Sequence, residues 1–275
     1  MIREAIGTEL ITIWGNSERL KKIFNNLDNF KLYFKKQRRS VFVNFENGKI
    51  MGNAVVGFWK EQKDTIAIWD LIDSPDEIDT WIKYLKAEAS SCDATTVVII
   101  DPRSEIVGKI LKSDFVLFNS VLLLQCNQIP VCNFNEVARL KRTGREDFNT
   151  ILKIDDRCFL KFWKVSNTDI RMMLDTAMRK VYVYIAYYNG RYAGYIIGGA
   201  SKEEGNIGRI AVLPDFQRLG IGRQMLGTVL NEMRDDGIKN VSIHTQSDNV
   251  KAKALYKNFG FYEADQGFDI YRADV

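Results

Sequence analysis

Residues 205–222 read GNIGRIAVLPDFQRLGIG. Ile207 to Leu213 is an apolar run of strand length, Pro214-Asp215 signals a turn, and from Gln217 to Arg234 Leu219, Leu226, Val229, Leu230 and Met233 recur at helical steps. A strand that turns through glycine into a helix gathers unpaired amides and a partial positive charge at one point. Such a point holds an anion without a metal. Gly220 and Gly222, lacking a Cβ, let the main chain come close to a bulky pyrophosphate, and Arg218 and Arg223 add planar donors suited to phosphate oxygens. A dinucleotide fingerprint needs glycine where Met225 stands, and no Gly-Lys-Ser/Thr follows, so the Rossmann and Walker readings both fail.

Gln217, Gly220 and Gly222 fill the fixed positions of a [QR]-x-x-G-x-[GA] pattern, and Ile210 to Phe216 (IAVLPDF) leads into it. Downstream, Asn249 to Phe261 (NVKAKALYKNFGF) opens a helix on Asn, carries Tyr256 and ends on Gly-Phe. These three linked pieces resemble the Gcn5-related N-acetyltransferase (GNAT) superfamily over about half the chain. The resemblance implies acetyl-coenzyme A as donor. Its pyrophosphate would lie on the amides of Arg218, Leu219, Gly220, Ile221, Gly222 and Arg223, and its pantetheine arm along Ile210, Ala211 and Val212 as an added strand would. Tyr256 would then donate a proton to the departing sulfur, which a phenol with a pKa near ~10 can do at working pH. A tyrosine packed on Phe259 is the plainer reading. Asn249 would cap its helix and also touch the cofactor; capping explains it nearly as well.

With 46% hydrophobic, 12% aromatic and 27% charged residues among 275, the composition is that of an ordinary globular protein with ample core. A net charge of +4 is too mild to argue for nucleic acid. No apolar run spans a bilayer, since Val116 to Leu124 is broken by Asn119 and Ser120, and MIREAIGTEL lacks a secretory pattern. Four scattered cysteines without C-x-x-C spacing and a single histidine, His244, argue against a metal site and for a reducing cytoplasm.

Residues 1–39 have a helical pattern, with Ser17-Glu18 as a helix start and a basic cluster at Lys31, Lys35, Lys36, Arg38 and Arg39 that reads as a solvated face. Strands follow at 40–46, 53–59 and 65–71, a helix at 75–90, a strand at 95–100, a short helix at 105–111 and two strand candidates within 115–125. Residues 137–180 read as mainly helical. A hairpin at 181–200 turns on Asn189-Gly190, the strand 207–213 and helix 217–234 come next, and a strand at 241–245, a helix at 249–258 and a closing strand at 268–272 complete the chain.

The order of elements in 42–115 repeats in 183–261, which indicates an internal duplication. The expected fold is a mixed α/β sheet in two tandem GNAT-like domains, residues 1–130 and 131–275, joined across the Pro130 region. Opposite Pro214 to Gly222 the first half has Asp73 to Trp81 (DSPDEIDTW), whose acidic residues would repel a pyrophosphate, and no tyrosine lies between Asp101 and Ser120. The first half therefore reads as degenerate, a layout similar to mycothiol synthase-like enzymes, and the fused repeat as a substitute for dimerisation that leaves a monomer.

The acceptor is expected to be a primary amine, on a small molecule or at a protein N-terminus. Asp155 to Trp163 (DDRCFLKFW) resembles the first-helix region of ribosomal-protein alanine N-acetyltransferases, which shapes the acceptor pocket, and it is also good core material. For a general base the candidates are Glu203, Glu204 and His244, each with a structural role as the plainer reading. Cys158 reads as a packing residue. The competing function is a non-catalytic module that senses acyl-coenzyme A or binds a partner.

Overall fold

The computed structural model describes residues 1–24, 26–36, 40–175 and 180–275. The chain divides into two compact units, one made of Met1–Ser120 with Phe268–Val275 and the other of Val121–Gly267.

In the first unit β1 (Ile2–Glu4) is followed by three short helices, α1 (Leu10–Asn16), α2 (Glu18–Phe24) and α3 (Leu27–Lys36). Ser17 starts α2 as expected, its Oγ accepting from the Leu20 amide at 3.1 Å. Of the basic cluster, Arg38 and Arg39 lie outside the described residues. Next come β2 (Val41–Glu46), β3 (Lys49–Phe58), β4 (Thr65–Ile72), α4 (Ile78–Ser91), β5 (Thr96–Ile100) and α5 (Ser104–Lys112). β1 to β4 pair antiparallel in chain order, and β5 joins β4 in parallel. β1 escaped the sequence reading because three residues carry no periodicity.

Where two strands were expected within 115–125, one strand, β6 (Val116–Asn127), runs without interruption. The second unit continues with β7 (Arg139–Arg142), α6 (Phe148–Cys158), α7 (Asn167–Asp175), β8 (Lys180–Tyr188), β9 (Arg191–Ser201), β10 (Glu204–Val212), α8 (Ile221–Asp235), β11 (Asn240–Gln246), α9 (Val250–Lys257), β12 (Tyr262–Glu263) and β13 (Phe268–Asp274). β7 falls in the segment expected to be helical; its charged sequence RLKR hides a strand that pairs antiparallel with β8. The β8–β9 hairpin turns through Asn189 and Gly190, both at positive φ, as the Asn-Gly signal requires.

The closing strands differ from the expected 1–130 and 131–275 halves. Phe268–Asp274 pairs with β5 and belongs to the first unit, whereas residues 240–246 of the second unit pair with 121–127. Chain order misleads here because each unit takes its last strand from the end of the other repeat.

Each core follows its sheet. In the first unit Ile78, Trp81, Ile82 and Leu85 of α4 pack on β2, β4 and β5, and Leu10, Ile13, Leu20 and Phe30 cover the other face of β2 and β3. In the second, Met225, Leu226, Val229, Leu230 and Met233 of α8 bury completely against β8, β9 and β10. Leu219, expected on this face, is 41% exposed because the helix starts at Ile221 rather than Gln217.

Candidate active site

The parallel register of β10 with β11 runs from Glu204–Asn240 to Ile207–Ile243 and stops. A bulge at Gly208 breaks β10 there, and beyond it Ile210, Ala211 and Val212 pair only with β9 while His244 to Gln246 pair only with β6. The two strands splay, and a cleft of about 550 Å³ opens between them, running to the start of α8. One edge of Ile210–Val212 therefore has no protein strand beside it.

At the far end of the cleft Gly220 adopts φ +85°, which releases the chain from the turn and starts α8. Gln224 N closes the first intrahelical bond, onto Gly220 O at 2.9 Å, so the amides of Ile221, Gly222 and Arg223 stand ahead of it without intrahelical acceptors. Among the described residues no side chain caps them. A Cβ on Gly222 would meet only Val212 and Leu255 at ordinary contact distances, so its absence keeps open the space above the amides. Gln217 braces the turn, its Nε2 donating to Val212 O at 3.1 Å. Among the described residues the charged side chains lining the cleft are Arg209, Arg218, Arg223 and Lys251, with no carboxylate. Arg223 donates to Asn133 O at 3.3 Å and lies over the Phe259 ring, so its guanidinium is held at the rim.

The first unit treats the same helix start differently. Asp73 Oδ1 accepts from the Ser74 amide at 2.7 Å, and Oδ2 accepts from Trp81 Nε1 at 2.8 Å and Asn44 Nδ2 at 3.0 Å. A carboxylate of the chain itself thus sits in the turn that leads to α4, where negative charge disfavours a bound anion.

Tyr256, on α9, lines the cleft while only 4% exposed, with its ring against Phe261. Its hydroxyl has no hydrogen-bond partner among the described residues, and burial raises its pKa, partly offset by Arg209. Asn249 caps α9 by accepting from the Ala252 amide at 3.2 Å, and it also lines the cleft. His244 faces the cleft from β11, where surrounding protein lowers its pKa from 6.5 and favours the neutral imidazole.

Glu203 and Glu204 are not brought to this place. They sit at the distal end of β10, Glu203 paired with Lys239 at 2.9 Å and Glu204 accepting from Asn240 at 2.8 Å. Their chain position, two strand turns before the splay, separates them from it. Cys158 lines the cleft, but burial raises its pKa to about 11, so it is a thiol and not a nucleophile.

A buried group that the sequence reading took only as the first residue of the Asp155 to Trp163 stretch anchors the segment beside the cleft. Asp155, 1% exposed, accepts from Tyr195 OH at 2.6 Å and Arg209 Nε at 2.9 Å through Oδ2, and from the Val165 amide at 2.9 Å through Oδ1. Arg209 also donates to Trp163 O at 2.6 Å and lies 3.6 Å from the centre of the Phe159 ring. This cluster ties segment 159–165, between α6 and α7, to β10 beside the cleft. An isolated Arg in a strand and one of two adjacent Asp in a helix do not announce an ion pair; only their pairing in space does.

Residues 148–261 match the acetyltransferase (GNAT) family. This segment belongs to that family. Among curated relatives, the [ribosomal protein bS18]-alanine N-acetyltransferase of Escherichia coli K12 is 36% identical over 76 residues, 28% of this chain and 51% of that one. The Salmonella typhimurium LT2 protein of the same name is 36% identical over 74 residues, 27% and 50% of the two chains. The chain thus spans about half the length of the curated relatives it matches. In fold it is similar over its whole length to a GCN5-related N-acetyltransferase from Sphaerobacter thermophilus, with TM-score 0.70 and 12% identity over 95% of that chain. A tandem GNAT protein from the clavulanic acid biosynthesis pathway gives TM-score 0.66 and 12% identity over 100% of this chain and 97% of that one. The two-unit architecture is therefore that of tandem GNAT folds.

Proposed function

We propose that the second unit is an acetyl-coenzyme A-dependent N-acetyltransferase that acts on a primary amine, and that the first unit is a degenerate copy without a cofactor loop. The observation that carries this reading is the β10–β11 splay ending on uncapped α8 amides, in a cleft lined by cations and by no carboxylate. The free edge of Ile210–Val212 suits an extended arm bearing amides, and the amides of 221–223 with Arg218 suit its diphosphate. When bound, acetyl-coenzyme A supplies a thioester carbonyl for attack by the amine.

Two groups of this chain handle the protons. Among the residues lining the cleft, His244 is the base available near neutral pH, and it takes the proton of the incoming ammonium directly or through water. Tyr256 keeps its proton at neutral pH and would give it to the sulfur as the carbon–sulfur bond breaks, regaining one from the second N–H that the nitrogen sheds, so the products are an amide and a thiol. The Asp155–Arg209 cluster holds the 159–165 segment as a wall for the acceptor.

The curated relatives' activity makes a peptide that begins with alanine the first acceptor to try, beside small amines. Calorimetric titration with acetyl-coenzyme A and thiol release with these acceptors test the proposal. Binding with turnover supports it, binding without turnover over a broad amine panel points to a sensing module, and absence of binding defeats both. A sedimentation measurement giving a monomer would fit the fused repeat in place of a dimer.

A further inference from the structure

The first unit carries a cavity of its own. β4 and β5 run in parallel register from Thr65–Thr96 to Ile68–Ile99, and past that point they part as β10 and β11 do. A space of about 560 Å³ lies there, walled by Ile68 and Ile72 of β4, Ile99 of β5, Pro102 at the start of α5, and the α1–α2 junction around Ser17. Asp73 occupies the neighbouring helix start, so a diphosphate has no cradle there.

Two groups of opposite polarity in this wall each leave one buried polar atom without a hydrogen-bond partner among the described residues. Asp70 is 6% exposed, and its Oδ2 has no hydrogen-bond partner among the described residues. Arg19 holds Asp101 Oδ2 through Nη1 at 3.0 Å and leaves its buried Nε without an acceptor. Each feels the other's charge, and Arg103 also reaches Asp70. A buried acceptor and a buried donor left unmade are costly, and costly pairs that line a cavity call for a molecule that satisfies both. An anion alone would meet the Asp70 carboxylate, and a cation alone would leave Arg19 Nε unpaired. Ile68, Leu71, Ile72, Ile99, Ile100 and Pro102 give the wall an aliphatic side, and Ser17, Glu18, Asp101 and Ser104 line its polar side.

We propose that this cavity binds a small aliphatic zwitterion of the α-amino acid class, with its ammonium on Asp70, its carboxylate on Arg19 and Arg103, and its side chain against Ile68, Ile99 and Pro102. The first unit is then a ligand-binding domain in its own right, and this inference stands apart from the function assigned to the second.

Calorimetry on the full chain tests it, with L-leucine as the first probe and the other proteinogenic amino acids after it. Isoamylamine and 4-methylpentanoate, each carrying one half of the charge, are the controls. The expected result is saturable binding of an amino acid at least about tenfold tighter than either control, weakened about tenfold or more in Asp70→Asn and in Arg19→Lys, which keeps the charge and removes the Nε donor. Near-UV circular dichroism confirms that each variant is folded, and Arg19→Lys alone decides the matter if Asp70→Asn is not. No saturation by any amino acid up to about 10 mM, or equal affinity in the folded variants, would overturn the proposal and leave the two groups bridged by water.

Discussion

Tyr256 and His244 show how the surrounding protein sets the working range of single residues. The Tyr256 phenol lies above its usual pKa of 10.0, so it stays protonated across the physiological range and can act only as a donor there. His244 lies below 6.5 and is neutral at pH 7. If both act as proposed, kcat/KM rises with pH through one ionisation below 6.5, as the imidazole loses its proton, and is flat near neutrality. The His244→Ala variant should lose that rising limb, and Tyr256→Phe should lower kcat by about 10²-fold or more with little change in acetyl-coenzyme A affinity. Initial rates of thiol release against pH measure both. An unchanged profile in His244→Ala removes the base assignment, and unchanged turnover in Tyr256→Phe removes the acid. Asp155 answers to a different assay. Its loss in Asp155→Ala leaves the largely buried Arg209 guanidinium and Tyr195 hydroxyl without their common acceptor, and should cost about 3–5 kcal/mol in denaturant unfolding.

The α8 entry shows which parts of an element are legible in a sequence. Gln217, Gly220 and Gly222 disclosed the turn into α8 because glycine at positive φ and a proline-marked strand exit are local signals. The first helical residue was placed four positions early because Gln217 to Leu219 are good helix formers held in the turn by tertiary contacts. Strands β1 and β7 were missed for a related reason: edge strands are short and polar, and alternation cannot be read from three or four residues. The Asp155–Arg209 cluster lies beyond any local signal, since 54 residues separate its members. The turn can be tested through its backbone. A Cβ at Gly220 would come no nearer than 3.8 Å to Val137, so Gly220→Ala meets no clash and acts through φ alone. It should cost about 1–2 kcal/mol of stability and re-aim the amides, weakening acetyl-coenzyme A binding about tenfold in calorimetry. Leu219→Ala, in an exposed side chain of the same turn, should leave both quantities unchanged.

At the scale of the whole chain, the duplication was visible in the order of elements, but the partners of the closing strands were not. Strand pairing over more than a hundred residues leaves no trace in the spacing of Val121–Asn127 or Phe268–Asp274. That exchange has a consequence for stability. Tyr271 and Ala273 of the last strand are buried with Val97, Ile99 and Trp81 of the first unit, although they lie at the far end of the sequence from it. Ending the chain after Gly267 removes the strand that covers Thr96–Ile100, exposes that edge to water and leaves the β10–β11 register as it is. Hydrogen exchange on the shortened chain should show amides of Thr96–Ile100 exchanging about 10²-fold faster or more, with those of Glu204–Ile207 and Asn240–Ile243 protected as before. Loosening confined to β10 and β11 would instead assign the last strand to the second unit, in the order in which the two repeats are written.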